Sequence, residues 1–148
     1  MGYSADNLSY VDEVKILTPF SICLKNGEPI TKFHTGKTQT EAIILAKEEL
    51  KLNQNKCDAW AFTREGKMEE NGKNISTVSV TGWSEGMEGS IDFVQPFERT
   101  PIFRLLGDPL VIVNGVVLGD EEAKPILATF EKGILSHEDA GPKWKSWH

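Results

Sequence analysis

A serine, a histidine and a scatter of carboxylates are the residues of this chain whose types could do covalent chemistry. Gly82-Trp83-Ser84-Glu85-Gly86 has the G-x-S-x-G spacing of a nucleophile elbow, in which a strained strand-to-helix turn lifts the serine hydroxyl above a parallel sheet. Asp92, Asp108 and Asp120 follow, and then His137, in the chain order such hydrolases use. A small hydrolase would take Ser84 as nucleophile, His137 as base and Asp108 or Asp120 as its orienter. The context speaks against it. Met87-Glu88-Gly89-Ser90 leads into a strand where an elbow needs a helix, and with 13 glycines the spacing arises easily by chance. If the chain were a non-covalent enzyme, His34 would be the leading titratable candidate, because imidazole changes charge near neutral pH.

Two further patterns carry chemistry only in outline. His34-Thr35-Gly36-Lys37-Thr38 ends like a phosphate-binding G-x-x-x-x-G-K-[ST] loop, but Thr31 stands at the leading glycine and residues 31–35 read as strand. A turn glycine followed by a helix cap accounts for it. Metal chemistry lacks spacing: His34, His137 and His148 are scattered, with no second His or Cys at ligand distance. Cys23 and Cys57 sit in strand-like runs without C-x-x-C spacing, and read as two buried small hydrophobes in a reducing compartment. The sequons at Asn7 and Asn74 then carry no weight. No metal and no cofactor is expected.

Binding residues are easier to nominate. In a strand over 90–97, Gln95 shares a face with Ile91, Phe93 and Phe97, so its amide must bond to core backbone or to a ligand. Arg99 and Arg104 follow in an irregular stretch with Glu98 and Asp108, where a solvated salt-bridge cluster is the plainer reading. With Trp60 these residues define an expected ligand pocket: Trp60, Phe93, Gln95, Arg99 and Arg104. The run LVIVNGVVL, residues 110–118, is an Asn-Gly hairpin apolar on both faces, which asks for cover from the monomer or from a second copy. A homodimer through that hairpin is the expected assembly.

The whole chain limits these choices. Its 148 residues suit a single domain, 1–148, and the net charge of −6 with three arginines argues against nucleic acid or anionic membrane as partner. No apolar run is long enough to cross a membrane, and the polar, acidic start is unlike a secretory leader, so a cytoplasmic protein is expected.

The elements that must position these groups follow from periodicity. Residues 38–53 form the clearest helix: Thr38 and Glu41 make a capping box, and Ala42, Ile43, Leu45, Ala46, Leu50 and Leu52 fall on one side, with Ile44 the exception. Asn26-Gly27 closes a hairpin whose return strand, Glu28 to His34, belongs at an edge because Pro29 cannot donate. Strands are expected from Val14, at 57–64, at 75–83 and at 90–97, with a polar, mobile connection over 65–72. A second helix spans about 121–136, with Pro125 near its start. Residues 1–13 and 138–148 read as loosely ordered arms. Turn-linked strands are antiparallel, and two helices cannot supply parallel crossovers. The fold class is therefore α+β: a mainly antiparallel β-sheet with two helices (about 38–53 and 121–136) packed on one face. The expected function is a non-catalytic domain that self-associates or binds a small molecule, with the Ser84 hydrolase as the alternative.

Overall fold

The computed structural model describes residues 1–9, 16–53 and 55–148, apart from the Tyr3 side chain. Val14 and Lys15, the expected start of a strand, and residues 10–13 of the expected arm lie outside that set. Among the described residues, eight strands form one sheet: β1 (Phe20–Lys25), β2 (Glu28–Phe33), β3 (Ala59–Glu70), β4 (Lys73–Ser84), β5 (Ile91–Glu98), β6 (Arg104–Leu105), β7 (Leu110–Val113) and β8 (Val116–Val117). Their order is β2-β1-β3-β4-β5-β7-β8, with β6 also on β5, and every pairing is antiparallel. The α+β class holds.

Three Asn-Gly turns set the register. Asn26-Gly27, Asn71-Gly72 and Asn114-Gly115 all have positive φ at both residues, the geometry of a two-residue type I′ hairpin. The middle one corrects the sequence reading. Instead of a mobile connection over 65–72, β3 and β4 run on as a twelve-residue pair up to the turn, Glu70 opposite Lys73. β2 is the sheet edge, as Pro29 requires, and all six of its residues are exposed.

Among the described residues, four helices cover the sheet: α1 (Gly2–Ser9), α2 (Gln39–Lys51), α3 (Asp120–Leu135) and α4 (Ala140–Trp144). Thr38 Oγ1 accepts from the Glu41 amide (3.1 Å), and Glu41 accepts from the Lys37 amide (2.6 Å), so the cap lies where the sequence put it. The two long helices are at the expected positions but on opposite faces. α2 buries Ala42, Ala46 and Leu50 against Phe62 and Trp60. α3 buries Ile134 and packs Phe130 with Phe20, Val78 and Phe97. Phe20 and Phe62 face opposite ways because Phe20 pairs with Thr63 and Ser21 with Phe62, and neighbours along a strand alternate. Leu45 of α2 and Leu52 at its C-cap, expected inside, are exposed. Ala42 and Ala46 bring one narrow stripe close to the sheet and leave the flanks outside.

The terminal segments are part of the core instead of loose arms. Ala5 and Leu8 of α1, Ala140 and Trp144 of α4, and Trp147 join the α3-side core, and Lys143 binds Asp6 at 2.6 Å. The Trp147 carbonyl accepts from the Leu105 amide. The two tryptophans are what the polar-looking tail hides: they supply the apolar area that docks it.

Cys23 and Cys57 form a disulfide, with Cα atoms 5.5 Å apart. The reading of two buried thiols is thereby corrected. Cys57 lies just before β3, and the Asp58 amide donates to the Leu24 carbonyl (2.8 Å), which brings the two sulfurs together across a sequence separation of 34. No helix of the described residues is long and apolar enough to cross a membrane. Closing a loop of that length removes denatured-state entropy amounting to about 3–4 kcal/mol of stability. Denaturant unfolding with and without reductant should differ by that amount, and the unreduced, denatured chain should show no reactive thiol.

Candidate functional site

Side chains on one face of the sheet line up in rows across the strands. On the α3 side one row reads Ile22, Ala61, Gly82, Ile91, Val113, and its neighbour Phe20, Thr63, Val80, Phe93, Val111. On the α2 side one row reads Cys23, Trp60, Trp83, and the next Ser21, Phe62, Thr81, Asp92, Ile112. This parity separates the residues expected to share one pocket. Trp60 faces α2, whereas Phe93 and Gln95 face α3.

Gln95 is fully buried, and its Nε2 donates to the carbonyls of Pro96, Leu106 and Gly107 at 3.0–3.2 Å. It ties β5 to the following loop, the structural role of the two considered. Arg99 donates to Glu65 at 2.8 Å, lies over the Phe97 ring at 5.2 Å, and is largely buried. Glu65 also accepts from the Leu17 amide (2.8 Å), so this pair is an internal tie and not the solvated cluster anticipated. Arg104 does sit in solvent, paired with Glu98.

The setting of Ser84 is not that of a nucleophile elbow. Ser84 ends β4, its carbonyl accepts from the Met87 amide (3.1 Å) in a turn, and the chain returns as β5, so the motif is a strand-turn-strand loop. His137 follows α3, and its Nδ1 accepts from the amides of Asp139 and Ala140 at 3.2 Å, the entry to α4. The Gly36 turn shows why a glycine precedes α2: a Cβ there would lie 2.9 Å from the Ala42 amide nitrogen. Among the described residues, no three His, Cys, Asp or Glu side chains gather as a metal ion needs.

His34 has a serine partner that the sequence did not suggest. Ser21 Oγ and His34 Nε2 are 2.8 Å apart, both buried beneath α2, with the His34 ring edge-on to Phe62. Burial lowers the His34 pKa below its ordinary 6.5, against a smaller upward pull from Glu49 and with a further downward push from Lys32. Glu49 is held below the usual carboxylate range, chiefly by its hydrogen bond from Lys32. A serine–histidine bond of this kind could activate a nucleophile, but both groups are closed off from solvent. It reads as a satisfied buried pair.

Of the clefts lined by described residues, two lie against opposite faces of the sheet. The larger, about 690 Å³, lies between the sheet and α3. Ile22, Ile91 and Phe93 form its sheet wall, Ile126, Phe130 and Gly133 its helix wall, and His137 lies at the C-terminal end of α3. The hollow has a simple cause. Ala61 and Gly82 sit side by side in the row between Ile22 and Ile91, and a Cβ built on Gly82 or on Gly133 would meet nothing within 4 Å. Phe130 stacks on Phe93 (4.1 Å, 10°) and Ile134 enters the core, so the helix is pinned while a gap stays beneath it. The smaller cleft, about 490 Å³, lies beside α2 over Trp60, Phe62 and Trp83. Sequence reasoning named Trp60 and Phe93 but missed Trp83 and the glycines. Counting outward from Asn71-Gly72 along the two strands would have set Ala61 opposite Gly82 and, one residue further, Trp60 opposite Trp83.

Compared with known proteins, the chain matches no family model, no curated protein and no solved structure.

The buried His34 pair makes a pH prediction. Its neutral form is favoured in the folded state, so on acidification the unfolded chain takes up the proton first. This contribution is complete above about pH 6.5 and declines as pH falls toward the lowered folded value. The Glu49 contribution is lost at lower pH, below its ordinary carboxylate value of 4.5. Proton NMR should place the His34 midpoint below the ordinary 6.5, and denaturation midpoints should begin to fall below about pH 6.5.

Proposed function

We propose that this protein is a non-catalytic small-molecule-binding domain whose site is the apolar cleft between the sheet and α3. The observation that carries this reading is the open apolar groove between Gly82 and Gly133, lined by the half-buried Ile22, Ile91, Phe93 and Phe130. A groove of this size keeps apolar side chains in contact with water, and a ligand that covers them removes that surface from solvent. The ligand is an uncharged organic molecule with an apolar body. Most of the wall is carbon, so a charged group would lose hydration there. The disulfide supports an oxidising compartment as the place where the protein works.

The experiment uses a neutral fluorescent probe, N-phenyl-1-naphthylamine. Wild-type protein should bind it with a blue-shifted, saturable signal. Gly82→Leu and Gly133→Leu put side chains into the space and should weaken binding by about tenfold or more, since the probe's buried area is displaced. Both variants should stay folded, and Gly133→Ala should gain up to about 1 kcal/mol from helix propensity. Probe binding undiminished in both leucine variants would overturn the assignment.

Self-association through the 110–118 hairpin is supported by a separate observation. Val111 is buried, but Val116 and Val117 at the sheet edge are 63% and 54% exposed, beside a half-exposed Leu110. Two copies joined edge to edge would cover them and pair the open strand. Sedimentation of the wild type should show a dimer, and Val117→Lys should return it to monomer without loss of fold; a monomeric wild type at micromolar concentration would rule this out.

A further inference from the structure

The cleft beside α2 has a different chemistry from the one under α3, and its parts point to a specific kind of ligand. Trp60 and Trp83 face each other across β3 and β4 with ring centroids 6.2 Å apart and planes within 22°. The pair is stacked, and Phe62 lies beside it in the lining of the cleft. α2 packs Ala46 and Leu50 against Phe62 and part of Trp60 and ends at Lys51, which leaves Trp83 outside that cluster. Both indoles are left half-buried. The Trp83 Nε1–H donates to the Met87 carbonyl (3.3 Å), which uses the polar handle of that ring within the loop and fixes its orientation.

Polar groups surround this surface on two sides. Lys47 and Lys51, one helical turn apart on α2, form one rim; Glu88, Ser90 and Asp92 form the other. The acidic rim is held in place. Thr81 donates to one oxygen of Asp92, and among the described residues the other oxygen has no hydrogen-bond partner. The loop carrying Glu88 and Ser90 presses against the β7–β8 turn at Gly89, where a Cβ would come within 2.8 Å of Asn114 Oδ1. Two cations facing two anions leave no net charge over the cleft, so neither a phosphate nor an organic cation is favoured by the field. A neutral ring that offers both donors and acceptors at its edge can use both rims at once.

We propose that the Trp60–Trp83 surface is a second, independent binding site, and that its ligand is a pyranose ring, either a free sugar or a unit of a glycan chain. The C–H groups on one face of such a ring meet the electron-rich indole faces, while its hydroxyls reach Asp92, Glu88 and the lysines. The site lies on the opposite side of the sheet from Gly82. It therefore stands or falls separately from the apolar cleft.

The test titrates the whole protein with glucose, cellohexaose, an N-acetylglucosamine hexamer and a mannose hexamer, following tryptophan emission and heat of binding. At least one sugar should bind saturably, with an affinity unchanged by added salt because the ligand is neutral. Binding by the hexamers but not by glucose would assign the site to glycan chains; binding by glucose as well would assign it to the single ring. Trp83→Ala and Trp60→Ala should each weaken binding roughly tenfold or more, as loss of a central aromatic anchor does. Gly82→Leu should leave sugar binding as it is. Should an alanine variant lose its fold, Trp83→Phe and Asp92→Asn keep the strand intact and should still weaken binding several-fold. No saturable signal from any of the four sugars would overturn the proposal, as would equal affinity in all the cleft variants, or binding of adenosine in their place.

Discussion

Alternation of side chains across an antiparallel sheet is the constraint on which this structure depends. The strands of β1, β3, β4 and β5 are apolar enough on both sides that each face needs a cover. One helix cannot serve both. α2 takes the face of Phe62 and Trp60, and α1, α3, α4 and the C-terminal tryptophans take the face of Phe20, Val78 and Phe97. The division of core residues into two clusters, and of the clefts into two kinds, follows from that single geometric fact.

Incomplete cover creates both candidate sites. Where the row Ala61–Gly82 runs beneath α3, the sheet drops away from a helix anchored by Phe130 and Ile134. Where α2 ends at Lys51, the Trp60–Trp83 pair runs out from under it. The lining chemistry differs because of position. The first gap lies between two apolar surfaces and is lined almost wholly by carbon. The second opens at the charged flank of a helix and beside a polar loop, so its rim carries ions of both signs. Neither site draws on the serine of the G-x-S-x-G run, whose strand-turn-strand setting lacks the strained elbow that exposes a nucleophile.

The ties that hold the frame are long-range. The disulfide joins β1 to the approach of β3, Glu65 gathers Arg99 and the Leu17 amide, and Lys143 reaches Asp6 from the far end of the chain. Gln95 fastens β5 to the loop that follows it. Each of these side chains had a plausible local reading as a thiol, a surface ion or a ligand contact. Burial converts them into fasteners, since a polar group taken from water must find its partner within the protein.

Local chemistry alone determined the α+β class, the two long helices with their caps, the edge position of β2, and the Asn-Gly hairpins. These depend on backbone preferences and on periods of 2 and 3.6 that a short window contains. Even the Trp60–Trp83 pairing was within reach, by counting from Asn71-Gly72. Tertiary structure alone decided which face each helix covers, that Cys23 meets Cys57, that the terminal segments pack into the core, and where the sheet is left hollow. Those outcomes turn on which surfaces far apart in the chain come together, and on residues such as Gly82 whose importance is the space they leave. A sequence records side chains; an unfilled volume exists only once the chain has folded around it.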